Sequence, residues 1–313
     1  MKTFLVTGGA GFIGSNLIKN LLNNNNKVIC IDNMILGNKE NIASFLTNQN
    51  FILFEEDISN IKSLLNFTSK ENIDYIFHLA ANSDIRAGAN DPTIDFKNTF
   101  QTTYSILEFM RQKKLKKLFF SSTSAVYGEQ TNVFLSENAG SLMPISYYGG
   151  AKLASEAFIS SFGYMNDLDV TIFRFPNVIG PNLTHGVIFD FIKKLKLNSS
   201  KLEILGNGTQ SKPYIYIDDL IEVILMLAFS SEKGINIYNV GVEGSTSVKD
   251  IADMICIKMG LKEVKYTYTG SDRGWKGDVP TFKYDLTKIH QRGWIAKYNS
   301  NQAVQATLDA ILN

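Results

Sequence analysis

Several things are scarce in this chain, and each scarcity removes a class of function. There are only two cysteines, Cys30 and Cys256, far apart and each inside an apolar run. Both read as buried free thiols rather than as a disulfide or a catalytic pair. There are only three histidines, none in a ligand-spaced cluster, so no metal centre is expected. No apolar run reaches the roughly 18–20 residues that span a bilayer. The chain enters its first strand without a basic segment and a long apolar stretch ahead of it, so no cleaved signal is expected either. An excess of one charge sign is missing too, since 31 Lys and Arg face 30 Asp and Glu. With no basic stripe and no aromatic platform, neither nucleic acid nor a membrane surface is an expected partner. These absences describe a cytoplasmic protein that must meet any anionic ligand with local groups.

What is present is enough apolar chain for a large core: 313 residues, 44% of them hydrophobic and 19% charged. The first half alternates short apolar runs with helical patterns. Strands are predicted at 3–7, 27–32, 51–55, 75–79, 117–121 and 170–175, and helices at 13–22, 61–67, 95–112 and 148–162. Such alternation implies right-handed crossovers and a parallel sheet covered on both faces. After residue 175 the rhythm breaks at Pro176, Gly180 and Pro181. Helical patterns recur at 189–197, 218–229, 248–259 and 301–312. The expected architecture is α/β: a doubly wound parallel sheet over 1–176 and a smaller C-terminal α/β substrate lobe over 177–313. The boundary is soft, because segments after residue 200 can return to the large sheet.

Between the first strand and first helix lies Thr7-Gly8-Gly9-Ala10-Gly11-Phe12-Ile13-Gly14. Gly8 suits the tight turn, Gly11 lets backbone approach a pyrophosphate, and Gly14 lets the helix pack closely on the strand. The helix amino terminus then offers unpaired N–H groups and a positive dipole to the phosphates. Asp32, followed by Asn33, ends the second strand. A carboxylate there accepts from the adenosine ribose hydroxyls and repels a 2′-phosphate, which selects NAD over NADP. Asp57, after the third strand, is positioned to bond the adenine.

Tyr148 and Lys152 form a Tyr-x-x-x-Lys pair at a helix start, on one helical face. An unperturbed phenol with a pKa of about 10 is a poor base at neutral pH. A neighbouring ammonium and a positive nicotinamide ring would favour the phenolate, so Tyr148 could take a proton from a sugar hydroxyl while hydride leaves the carbinol carbon. A second polar segment, 121–128, follows a predicted parallel strand and brings hydroxyls to the carboxyl edge, where ligands of open α/β sheets bind.

Taken together, 7–14, Asp32-Asn33, Asp57-Ile58, His78-Leu79-Ala80-Ala81, Asn98, 121–128, 148–152, 174–178, 216–219 and 277–280 closely resemble the extended short-chain dehydrogenase/reductase family. The likeness is strongest to its branch of UDP-glucose 4-epimerase-like nucleotide-sugar epimerases, dehydratases and dehydrogenases. The resemblance implies a Rossmann NAD-binding domain with Phe12, Ile13, Ile58, Ala80 and Ala81 along the cofactor cleft. It implies that Thr123 is the hydroxyl of a catalytic triad, Tyr148 its base, and Lys152 the residue that holds the nicotinamide ribose. It places a UDP- or GDP-linked sugar in the small lobe, with Asn177 on the phosphate or sugar. It also implies a homodimer formed through the helices near 95–112 and 148–162.

The residues next narrow the reaction. Sugar 4,6-dehydratases of the family carry Asp-Glu directly after the triad threonine; here Ser124-Ala125 stand there, and neither can serve the elimination of water. The family's diphosphate-gripping arginine is replaced by Lys212, which keeps the charge but loses the bidentate fork. Trp275 stands in place of a second family arginine, with Arg273 before it and Asp278 after it. Trp275 can stack on a base or plug the lobe, and His185 can meet a phosphate, meet a sugar hydroxyl, or be structural. The expected activity is NAD-dependent oxidation at C4 of a nucleotide-diphosphate sugar, as a UDP-hexose 4-epimerase. The alternative is a 4-dehydrogenase of a GDP-linked sugar, such as a manno-heptose, that releases the ketone. A non-catalytic NAD-binding sensor would be marked by loss of Tyr148 or Lys152, and both are present.

Overall fold

The computed structural model describes residues 1–130, 133–230 and 232–313. Apolar runs without strict alternation form strands buried on both faces, as a central parallel sheet requires. Seven such strands make the main sheet: β1 (Thr3–Thr7), β2 (Lys27–Asp32), β3 (Phe51–Glu55), β4 (Tyr75–His78), β5 (Lys117–Thr123), β6 (Asp169–Phe175) and β7 (Ile235–Asn239). Their spatial order is β3-β2-β1-β4-β5-β6-β7, and the sheet is parallel. Val6 of β1 is in register with Cys30 of β2 on one side and Phe77 of β4 on the other. The connections therefore diverge between β1 and β4. At such a switch point the loops leave in opposite directions and open a crevice at the strands' carboxyl ends.

The helices that cover this sheet include α1 (Phe12–Asn23), α2 (Ile61–Phe67), α3 (Ile85–Asn90), α4 (Pro92–Asp95), α5 (Thr102–Lys113) and α6 (Tyr147–Asn166). Leu5, Ile29, Ile76, Leu118 and Phe120 of the sheet pack with Ile106, Phe109 and Met110 of α5 and Ile159 of α6 in one buried cluster. One compact unit holds Met1–Val126, Leu142–Arg174 and Ile221–Tyr238.

The second unit holds Tyr127–Ser141, Phe175–Leu220 and Asn239–Asn313. Its core joins Ile188, Phe191 and Leu195 of the helix Val187–Leu197, Ile251 and Ile255 of Val248–Lys258, and Val304 and Leu308 of Ser300–Leu312. Short two-stranded pairings edge it, including Asn177–Ile179 with Tyr214–Tyr216 in parallel. The units interleave along the chain rather than meeting at one residue.

The single helix predicted over 95–112 is interrupted. α4 ends at Asp95, a wider π-helical turn runs over Phe96–Gln101, and α5 begins at Thr102. Side-chain hydrogen bonds tie this stretch to its surroundings. Thr103 Oγ1 donates to the Thr99 carbonyl at 2.8 Å, and Thr99 Oγ1 accepts from the Asn82 N–H at 3.1 Å. Such turns are frequent at functional sites, and this one packs against α6, which carries part of the site described next.

Candidate active site

The turn after β1 has the shape an anionic ligand needs. Gly8 has φ +69°, and a Cβ added there would lie 2.8 Å from the Ala80 backbone nitrogen. At Gly14 an added Cβ would collide with the Gly8 carbonyl. Both positions therefore require glycine. Gly11 is the N-cap of α1 and supplies no side-chain cap, so the amides of the first turn, including those of Phe12 and Ile13, stay available to a ligand. Phe12 and Ile13 are half-buried.

Asp32 is buried at the end of β2. Its carboxylate accepts from the Ala10 N–H (2.9 Å, Oδ2) and the Met34 N–H (2.9 Å, Oδ1). Burial raises its pKa, and those two N–H groups counter the rise. Asn33 donates to Asp57, whose Oδ1 also accepts from the Ser59 N–H at 2.7 Å. Asp32-Asn33 and Asp57 thus form one polar rim at the ends of β2 and β3. The Ile58 side chain belongs to the apolar core, so any contact it makes with a ligand comes from its backbone. The Ala80 N–H donates to Thr7 Oγ1 at 3.2 Å, and Ala80 and Ala81 are half-buried just past β4. An uncapped helix start, two glycines that tolerate no Cβ and a buried carboxylate at the second strand's end fit a dinucleotide. Asp32→Ala should raise the ratio of NADP to NAD affinity by about ten-fold or more, by the loss of one charge-assisted contact and one repulsion. Titration with each cofactor measures it; an unchanged ratio would remove Asp32 from cofactor selection.

β5 and α6 build the other half. Thr123 ends β5, and its hydroxyl is hydrogen-bonded to the Tyr148 phenol. Ser146 caps α6 by accepting from the Gly149 N–H at 3.1 Å, which places Tyr148 in the first turn and Lys152 one turn further on. Lys152 is only 1% exposed. Its Nζ donates to the Ser121 carbonyl at 2.5 Å and lies 6.0 Å from the Tyr148 ring centre. One turn beyond, Glu156 accepts from Arg174 at 3.0 Å (Nε) and 2.6 Å (Nη2), and from Ser122. This buried bidentate pair fixes α6 on β5 and β6.

The electrostatics depart from the simple expectation that the lysine lowers the phenol's pKa. In the chain by itself, burial pushes Tyr148 up to about 12, a rise opposed by the Thr123 bond and reinforced by the charge of Asp95. Burial pushes Lys152 down to about 7, a fall that Glu156 opposes. Desolvation is the largest cause of both shifts, and the two groups move in opposite directions because burial disfavours the charged form of each.

The relay beneath the cleft has a defined tautomer. His78 is fully buried, and burial pushes it down to about 3, so it is neutral. Thr103 already donates its proton to Thr99, so its Oγ1 accepts from His78 Nε2 (3.1 Å). His78 Nδ1 must then accept from Thr7 Oγ1 (2.7 Å). The chain Ala80–Thr7–His78–Thr103 ties the cofactor edge to α5.

The remaining predicted site residues lie in the second unit. Lys212 is ion-paired with Asp278, whose Oδ2 also accepts from the Gly274 N–H at 3.1 Å. Arg273 pairs with Glu129 at 2.5 Å and donates to the Asp278 carbonyl at 3.3 Å. Asn177 is exposed and hydrogen-bonded to the Tyr214 phenol, which also feels Asp278. Trp275 is half-buried, in a turn where its carbonyl accepts from the Asp278 N–H at 3.1 Å. His185 is exposed ahead of the helix Val187–Leu197, against Thr184. Lys212, Arg273, Trp275 and Asp278 thus form one cluster.

Sequence reasoning missed Glu156, Glu129, Asn82 and Asp95. Glu156 was discoverable, since it repeats the four-residue step from Tyr148 to Lys152. The others come from distant loops and helix starts, where spacing carries no signal. Among the described residues no His, Cys, Asp and Glu group could hold a metal ion, and no helix is long and apolar enough to cross a membrane.

The profile of the NAD dependent epimerase/dehydratase family matches residues 4–241. UDP-glucuronate 4-epimerase from Thermodesulfobacterium geofontis is 27% identical, over 99% of this chain and 96% of that protein. The crystal structure of UDP-glucose 4-epimerase with UDP-glucose from Thermotoga maritima superposes with a TM-score of 0.87 at 30% identity, covering 98% of each chain. The Thermus thermophilus UDP-glucose 4-epimerase in complex with NAD superposes with a TM-score of 0.87 at 27% identity, again over 98% of each chain.

Proposed function

The chain belongs to the NAD dependent epimerase/dehydratase family, and from that premise we propose that it is a nucleotide-diphosphate-sugar 4-epimerase that works by oxidation at C4, with a UDP-hexose as substrate. It is an enzyme of the short-chain dehydrogenase/reductase type, and NAD is its cofactor. The observation that carries the reading is the Thr123–Tyr148–Lys152 constellation, followed by Ser124 and Ala125 rather than by acids.

NAD, when bound, supplies the acceptor for the hydride that leaves C4. Tyr148 takes the proton of the C4 hydroxyl. Thr123 Oγ1, already bonded to the phenol, orients the same oxygen. Lys152 holds positive charge behind the phenol and reaches the nicotinamide ribose. Once the keto sugar has turned in the site, the hydride would return to the opposite face of C4, while Tyr148 returns the proton to the C4 oxygen. Ser124 and Ala125 offer no acid or base across C5 and C6, so water is retained.

Asn177, His185, Lys212, Arg273, Trp275 and Asp278 are assigned to the nucleotide sugar. Lys212 meets the diphosphate as a point charge, and Trp275 stacks on the base. The protein pairs as a homodimer through α5 and α6 and the turn before α5, where Phe96, Tyr104 and Phe158 stay exposed. The Lys212 and Trp275 replacements also favour a second reading, a 4-dehydrogenase of a GDP-linked sugar such as a heptose that releases the ketone.

One experiment separates the two. The protein is mixed with NAD and a panel of UDP- and GDP-linked hexoses and heptoses, and the near-ultraviolet absorbance of reduced nicotinamide is followed. An epimerase forms an isomeric sugar with no lasting rise. A lasting rise with no isomer refutes epimerisation and identifies the dehydrogenase.

A further inference from the structure

The guanidinium best suited to grip a diphosphate is already held by a carboxylate. Arg273 Nη2 lies 2.5 Å from Glu129 Oε1, and the two side chains are 31% and 35% exposed. Arg273 Nη1 donates to the Asp278 carbonyl at 3.3 Å, and its Nε lies 3.8 Å from Asp272 Oδ1. Nη2 is the nitrogen common to both edges through which a guanidinium can hold a phosphate bidentately. A carboxylate seated on it opposes a second anion at either edge.

The other cation of the cluster is engaged more firmly. Lys212 pairs with Asp278, whose side chain is 9% exposed and whose Oδ2 also accepts from the Gly274 N–H at 3.1 Å. Lys276 is exposed on the same turn. Three cations thus face the carboxylates of Glu129, Asp272 and Asp278. A diphosphate gains little net attraction from that balance unless one carboxylate withdraws. Opening Lys212–Asp278 would strand a buried charge. The Glu129–Arg273 pair is partly solvated, so it can open at small cost. Among the described residues the Glu129 carboxylate has no other partner, and water can receive it. The turn itself need not move. The Asp278 N–H donates to the Trp275 carbonyl and the Gly270 N–H to the Gly206 carbonyl, each at 3.1 Å, while the Ser271 hydroxyl donates to the Arg273 carbonyl. Only side chains have to exchange.

We propose that Glu129 is a positioning residue of the nucleotide-sugar site: it holds Arg273 in the place of the ligand's diphosphate and gives up the guanidinium when a diphosphate arrives. Arg273 then keeps the Asp278 carbonyl while Nη2 changes partner. Glu129 touches no reacting atom. It sets affinity, because every binding event breaks one ion pair and every release remakes it. The proposal rests on the reading that this cluster takes a nucleotide-diphosphate sugar.

The test is calorimetric titration of the NAD-loaded protein with UDP and with GDP. Glu129→Gln should tighten binding of the nucleotide that wild type takes by about five-fold, which is what an exposed ion pair of the stronger kind is worth. Glu129→Ala should act in the same direction. With Arg273→Gln already in place, Glu129→Gln should change nothing, since the double-mutant cycle then lacks the pair. Weaker binding in the folded Glu129 variants would mean that the carboxylate braces Arg273 for the ligand, and it overturns the proposal. So does an unmoved affinity, or a gain that persists without Arg273. If neither UDP nor GDP binds wild type or variant, the nucleotide-sugar reading fails and the exchange falls with it. Binding with an unmoved affinity sinks the exchange alone.

Discussion

Tyr148→Phe is expected to lower turnover by about 10²–10⁴-fold, the range a positioned general base contributes, with NAD affinity unchanged. The substitution removes one hydroxyl whose partner is Thr123. It leaves alone the groups that would hold the dinucleotide, namely the uncapped start of α1, Gly8 and Gly14 at their close approaches, and the buried Asp32. Single-turnover kinetics and cofactor titration on the same preparation separate the two effects. Turnover near wild type would remove Tyr148 from the chemistry. Weakened NAD binding with normal turnover per bound cofactor would make it a binding residue only. The size of the loss also tests the electrostatics. A phenol held near 12 in the free chain is a base only through what binds beside it, so its removal should matter least to cofactor binding and most to the proton-moving step.

The second large effect is on stability. Glu156→Gln should destabilise the fold by about 3–5 kcal/mol, the usual cost of removing one member of a buried ion pair. Glu156 and Arg174 are 6% and 3% exposed at their side chains, and the Arg174 fork meets the carboxylate through two nitrogens. The amide keeps the shape but removes the charge that compensates the guanidinium. Denaturant unfolding measures the loss; a change below about 1 kcal/mol would mean that water reaches the pair. Lys152 is pulled the same way, since Glu156 opposes its downward shift. The variant should carry less ammonium charge behind the phenol, and activity per folded molecule should fall too.

Strands β1, β2 and β3 were legible because their apolar runs are bounded by glycine, asparagine and acidic residues. The glycine turn was legible because its spacing is dictated by backbone contacts, which Gly8 and Gly14 make with Ala80 and with the turn itself. The break in the long helix was not. Nothing in the apolar period over 95–112 records that Thr99 bonds Asn82 from one side and Thr103 from the other. The pKa order of Tyr148 and Lys152 was likewise hidden, because spacing conveys proximity but not desolvation. Lys212 was identified as an arginine replacement, yet only the coordinates show Asp278 already holding its charge.

The interleaving of the two units has a consequence for how the molecule is made. β6 is finished at Phe175, while its neighbour β7 begins only at Ile235. During synthesis the sheet therefore waits with the β6 edge open, its N–H and C=O groups unpaired, while the ribosome adds a stretch that belongs largely to the other unit. An open edge of this kind can recruit a second nascent chain.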